Sequence, residues 1–184
     1  MVKVDFGKYV LLEETWLHAL VALSEYAALE ELLCDDENVQ SRMVWIRVHS
    51  FLTHSAMVSR LVFATGKRSA RTEYLQRVLL VEQDSPLRDR AARDNVEHLD
   101  ERFDDWLSEN GVGLMEIVVP SRKGYEYIKR QRVRRLLIRD EMVFVTQGRG
   151  DKGHVEVSLE ALRRELERTA SIADALLDAS TLPG

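Results

Sequence analysis

The sequence predicts a mainly α fold: an up-and-down bundle of four or five helices, with a small antiparallel β-hairpin or sheet inserted before the C-terminal helix. Three observations predict it. Apolar residues recur at helical spacing through most of residues 8–108, only three prolines and nine glycines interrupt 184 residues, and the β-prone runs are confined to the segment after Gly113. A chain of this length suits a single structural domain with a sizeable core: a helical bundle over 1–112, with a small hairpin or sheet plus last helix over 113–184 packing on it.

The first helix is expected over 8–34, where Val10, Leu11, Trp16 or Leu17, Leu20, Val21, Leu23, Tyr26, Ala27 and Leu33 recur at helical spacing. Asp35-Asp36-Glu37-Asn38 interrupts the pattern, and Asp36 or Asn38 is a candidate cap for the next helix. That second helix is expected over 39–64, with Val44, Val48, Phe51, Leu52, Ser55, Val58 and Val62 on one face. Gly66-Lys67-Arg68 ends it, and Ser69 opens a shorter helix running to about Val81. Asp84-Ser85-Pro86 is the clearest start signal in the chain. Ser85 suits the N-cap and Pro86 the first helical position, where a missing N–H costs nothing. The fourth helix is expected to run to about Ser108 and close at Asn110-Gly111.

After Gly113 the period changes. Met115 to Val119 reads as a strand stopped by Pro120, and Val133 to Ile138 and Met142 to Thr146 read as strands joined by a turn at Arg139-Asp140-Glu141. Gln147 to Gly153 is a glycine loop without the Gly-Lys-Ser/Thr ending of a phosphate-binding P-loop, and Val155-Glu156-Val157 is a last extended piece. Ser158 caps the final helix, whose inner face is expected to carry Leu159, Leu162, Leu166, Ile172, Ala175 and Leu176. A reciprocal capping box is missing, because Ala161 stands where its acid belongs.

Composition, 45% hydrophobic and 31% charged, is that of a soluble globular protein. A net charge of −5 means that any nucleic-acid contact must come from a local basic patch. Cys34 has no internal disulfide partner. Glu13 and Glu14 cut short the N-terminal apolar run, so no signal-peptide core is read, and no stretch approaches the ~20 apolar residues of a membrane span. The expectation is a cytoplasmic protein without a membrane partner.

The fourth helix carries Arg93-Asp94-Asn95-Val96-Glu97-His98-Leu99-Asp100-Glu101-Arg102. Ala92, Val96, Leu99, Phe103 and Trp106 fall within about 80° of arc, whereas His98 lies about 120° from the centre of that stripe and Arg93 about 100° away on the other side. Neither is placed in the core. Five residues on a straight helix turn the two about 140° apart, so one phosphate is gripped by both only if the helix distorts or a second copy contributes. Asp94, four residues before His98, can orient the imidazole and favour its charged form; Asn95 and Glu97 are further positioning candidates.

This run resembles the Arg-x4-His signature of HEPN-type domains, and Arg-Asn-x-x-Glu-His-x-Asp-Glu-Arg is similar to a group of uncharacterised bacterial HEPN-like proteins, with Asp94 here where asparagine is common. Phe51 to Leu61 is similar to the second helix of that group. The resemblance implies a homodimer with facing motifs and a metal-independent endoribonuclease, a toxin or defence effector, in which Arg93 and His98 are catalytic. The alternative it implies is a non-catalytic module that binds a nucleotide, RNA, an antitoxin or another protein partner. In the catalytic case a ribose 2′-hydroxyl attacks the adjacent phosphate; histidine moves the proton and arginine holds the phosphate oxygens.

Two charge patterns bear on that choice. From Asp94 to Glu109 seven carboxylates face one arginine, an acidic stretch that repels RNA or simply faces solvent. Between Arg122 and Arg139 lie eight basic residues and one acid. Arg122, Lys123, Tyr125, Tyr127, Lys129, Arg130, Arg132, Arg134 and Arg135 combine phosphate-binding charge with aromatic faces, as single-stranded RNA recognition requires. A basic hairpin neutralising the acidic helix is the competing reading. No metal or cofactor is expected: His18, His49, His54 and His98 sit on three predicted helices, but no Glu-x-x-His pair accompanies them and His49 and His54 do not share a face. His154, beside the glycine loop, is read as solvent-facing.

Overall fold

In this computed structural model, residues 2–3, 5–35, 39–64, 69–89, 115–126, 128, 133–147 and 154–181 are described. Their order is β1 (Val2–Lys3), α1 (Phe6–Cys34), α2 (Arg42–Val62), α3 (Ser69–Val78), a 3-10 turn (Pro86–Arg88), β2 (Met115–Val119), α4 (Arg122–Glu126), β3 (Val133–Ile138), β4 (Val143–Gln147), β5 (His154–Ser158), α5 (Leu159–Asp178) and β6 (Ser180–Thr181). The expected mainly helical chain, with a small sheet before the last helix, is what these residues form. They group into two compact units, one of residues 1–27, 50–88 and 162–184, the other of 28–49 and 89–161.

The first unit is helical. Asp5 starts α1 by accepting the Lys8 amide at 3.3 Å on its side chain, with the Tyr9 amide on its carbonyl. The buried seam of α1 in this unit is Leu12, Thr15, Ala19, Ala22 and Tyr26. This corrects the expected face: Leu17 and Leu20 are 46% and 39% exposed. The helix is apolar on nearly every side, so its period did not select a face, and the close-packed one carries the small alanines. On α2 the expected face is the buried one, from Val44 through Val62. Within the unit Tyr26 meets Phe51 with ring centroids 5.5 Å apart.

α3 ends three residues short of the expected Val81. The Val81 amide reaches back to the Gln76 carbonyl at 2.9 Å and Leu80 adopts φ 54°, the left-handed terminator that glycine usually fills. Ser85, expected to cap the fourth helix, caps a 3-10 turn, accepting the Leu87 amide, while its hydroxyl donates to Glu165 at 2.8 Å. The expected continuation of this turn as a fourth helix lies outside the described residues beyond Asp89. On α5, Leu162, Leu166, Thr169, Ala170 and Ala173 are buried, whereas Ala175, expected inside, is exposed. Arg168 ties α5 to the end of α3 through the Leu79 carbonyl, and β1 pairs in parallel with β6.

The second unit holds a four-stranded sheet in the order β2-β3-β4-β5. β3-β4 and β4-β5 are antiparallel, but β2 joins β3 in parallel, so the sheet is mixed where an antiparallel one was expected. A parallel neighbour needs a crossover connection, and α4 lies between β2 and β3 in the chain. That crossover carries Tyr125 into the core formed by Val119, Val133, Leu136, Ile138 and Val145. The β3-β4 turn closes with Met142 at φ 47°. Ser158 caps α5 by accepting the Ala161 amide at 3.1 Å, as expected.

Candidate functional site

The most elaborate polar arrangement among the described residues grows out of an irregularity in β3. Met115 pairs with Val133, but Glu116 pairs with Arg135, which leaves Arg134 as an extra residue in the strand. Such a bulge changes where neighbouring side chains aim. Here both guanidiniums reach one carboxylate. Arg134 Nη1 donates to Glu116 Oε1 at 3.0 Å, and Arg135 Nη2 to Oε2 at 2.9 Å.

Arg135 has two further partners. Its guanidinium lies 4.9 Å from the centre of the buried Trp45 ring, a cation–π contact, and its Nη1 donates to His49 Nε2 at 2.6 Å. Burial and the charges of Arg135 and Arg134, opposed by Glu116, lower the His49 pKa from 6.5 to about 4. A neutral ring is what that hydrogen bond needs, since an arginine can only donate. His49 is therefore an acceptor at neutral pH and not a ready proton donor. Burial, then Arg135, also lowers the Arg134 guanidinium from its ordinary value, and Glu116 opposes this. Among the described residues the two arginines share this one glutamate, beside the neutral imidazole.

A second network sits at the crossover. Arg122 donates to Glu141 and Glu156, at 2.7 Å and 3.1 Å for the shortest bond to each. These bonds hold the guanidinium above its ordinary pKa and Glu141 below the usual carboxylate range. Two carboxylates on one arginine leave this patch with a net negative charge.

In the first unit, His18 and His54 bring their Nδ1 atoms to 2.9 Å, with Glu14 Oε2 3.8 Å from His18 Nε2. Helical spacing had separated His49 from His54, and the structure does place them in different clusters. Among the described residues no group of three or more histidine, cysteine, aspartate or glutamate side chains is arranged to hold a metal ion.

Of the residues singled out in the sequence, Arg93, Asp94, Asn95, Glu97 and His98 lie outside the described residues, as do Tyr127, Lys129, Arg130 and Arg132. Arg134 and Arg135 are brought together, though by an acid six residues before the basic stretch began. Arg122 is engaged by two glutamates, Lys123 is exposed, and Tyr125 is only 2% exposed, so its ring offers no face to a base. His154 is half-buried rather than solvent-facing. The pattern of charges did not point to Glu116 or Trp45; the β-propensity of Met115–Val119 marked Glu116 as a strand residue, and no local signal marked Trp45. Comparison with protein-family models, with curated proteins and with solved structures finds no match.

Proposed function

We propose that this chain is a HEPN-like protein that cleaves RNA without a metal, using Arg93 and His98 supplied twice by a cytoplasmic homodimer. The observation that carries the reading is the run from Arg93 to Arg102, with its arginine and histidine five apart and carboxylates around them. A mainly helical chain is compatible with it. In this reading His98 moves the proton between the 2′-hydroxyl and the departing 5′-oxygen, Arg93 binds the non-bridging phosphate oxygens, and Asp94 orients the imidazole, with Asn95 and Glu97 positioning. The products are a 2′,3′-cyclic phosphate and a 5′-hydroxyl.

The test is incubation of the full chain with structured and unstructured RNA in EDTA. Cleavage that survives the chelator and is lost in both His98→Ala and Arg93→Ala supports the reading. Intact RNA with wild-type protein, or equal cleavage by His98→Ala, overturns it. A monomer by light scattering at micromolar concentration removes the composite site.

A second reading is a non-catalytic HEPN-like module that binds a nucleotide, RNA, an antitoxin or another protein. Arg122, Arg134 and Arg135 favour its protein-binding form over RNA binding, because each already has a carboxylate partner. Basic side chains engaged in this way have less to offer a phosphate backbone. Salt-sensitive RNA binding that weakens in Arg134→Glu with Arg135→Glu would restore the basic stretch as an RNA surface. No helix among the described residues is long and apolar enough to cross a membrane.

A further inference from the structure

We infer that His18 on α1 and His54 on α2 form a shared-proton latch, closed at neutral pH and opened by acid, within the first unit. The pair is independent of Arg93 and His98 and of the activity assigned to them. Its geometry is specific. The ring centroids are 5.1 Å apart and the two Nδ1 atoms 2.9 Å, and the difference of 2.2 Å is close to what two imidazoles add when their nitrogens meet head-on. The lone-pair directions therefore oppose one another along nearly one line. One Nδ1 must carry hydrogen and the other must be bare.

A proton suits this line better than a metal ion does. A divalent ion needs both nitrogens bare, each about 2.0–2.1 Å from a third point towards which both lone pairs converge. Head-on nitrogens do not converge, and no third ligand joins them among the described residues.

The surroundings decide how many protons the pair accepts. Glu14, one turn before His18, places Oε2 3.8 Å from His18 Nε2, so a hydrogen on that nitrogen has an acidic neighbour. Glu25, also on α1, favours a charged His54, but burial and then the His18 ring outweigh it and lower His54 below the ordinary histidine value. On α2 the group facing His18 is His54 itself. With both rings neutral, one Nδ1–H donates to the other Nδ1. With one ring charged, the same bond persists and becomes charge-assisted. With both charged, two N–H groups point at each other and the bond is gone, replaced by repulsion between two half-buried cations. The third state breaks a link between α1 and α2.

Histidine-selective 15N NMR of the full chain between pH 8 and 4.5 tests the coupling directly. The expected result is that the two rings titrate as an interacting pair, with the second protonation displaced below the ordinary histidine value. Hydrogen exchange of residues 15–22 and 51–58 reads the opening; after correction for intrinsic rates, it should accelerate at least tenfold between pH 7.5 and 5. In His18→Asn, which keeps a polar group but cannot take a proton, that acceleration should shrink to under twofold. Two independent titrations at a common ordinary midpoint overturn the latch, as does wild-type exchange that changes less than twofold. Because both readouts are made on the wild-type chain, they decide the matter even if the variant does not fold.

Discussion

Arg135 Nη1 donates to His49 Nε2 at 2.6 Å, and this bond exists only while the imidazole is neutral. The folded chain holds His49 at about 4, below the 6.5 expected for an unhindered ring, so between those values the unfolded chain binds the extra proton. Stability from this group is fully present above about pH 6.5 and is lost as pH falls towards 4. Linkage puts the loss at about 2 kcal/mol between pH 7 and 4.5. Urea unfolding at the two pH values should show that much less acid sensitivity in His49→Leu than in the wild type. Equal slopes would show that His49 is not held neutral by the fold.

Glu116 is shared, so the three members of its cluster should differ in cost. Glu116→Ala leaves two partly buried guanidiniums side by side and should destabilise by about 2–4 kcal/mol. Arg135→Ala should follow, since it also removes the cover on Trp45 and strands His49. Arg134→Ala should cost only about 0.5–1 kcal/mol, because Glu116 keeps its other partner. Chemical unfolding of the three variants gives the order directly; an Arg134 variant as damaged as the Glu116 variant contradicts it.

Leu80 holds a left-handed backbone conformation while 66% exposed. Its side chain contributes little packing, and the conformation costs a non-glycine residue about 1 kcal/mol. Leu80→Gly should therefore raise stability by about 0.5–1 kcal/mol, seen as a higher midpoint in thermal or urea unfolding. A lower midpoint would mean that the exposed leucine is covered by something in solution.

The side-chain amide of Gln40 pairs with Val118 as a strand would, donating to its carbonyl at 2.7 Å and accepting its amide at 3.1 Å. β2 is an edge strand, and open edges recruit other strands. Gln40→Ala should cost about 1–2 kcal/mol and give self-association that rises with concentration in light scattering. Gln40→Glu keeps the acceptor but loses the donor, and should lie between the two. A Gln40→Ala chain with unchanged stability and association would show that water serves Val118 equally well.

Local signals were legible in the sequence and long-range pairings were not. β2 and β3 occupy the residues expected of them, β4 is displaced by one, and Ser85 and Ser158 cap where their hydroxyls suggested. These depend on neighbouring residues alone. The parallel union of β2 with β3 depends on a crossover whose direction no local pattern records, and it is that union which sets Glu116 beside Arg134 and Arg135. The basic stretch looked like a phosphate surface because its acids come from elsewhere: Glu116 precedes it, and Glu141 and Glu156 follow it. His49 was visible as a histidine of interest, but its neutral state is set by burial and then by guanidiniums remote in sequence, that of Arg135 86 residues away.

The bulge in β3 has a meaning in the arithmetic of insertion and deletion. Val133, Leu136 and Ile138 all belong to one core cluster, a phase that strict alternation produces only if one residue between them is not counted. Arg134 is that residue. Removing its codon should leave every inward side chain of the strand inward and Glu116 still opposite Arg135, so the chain lacking Arg134 should fold with its sheet intact by circular dichroism. Removing Leu136 instead should turn half the strand inside out. The second arginine on Glu116 is thus an addition that the sheet accommodates without changing its inner face.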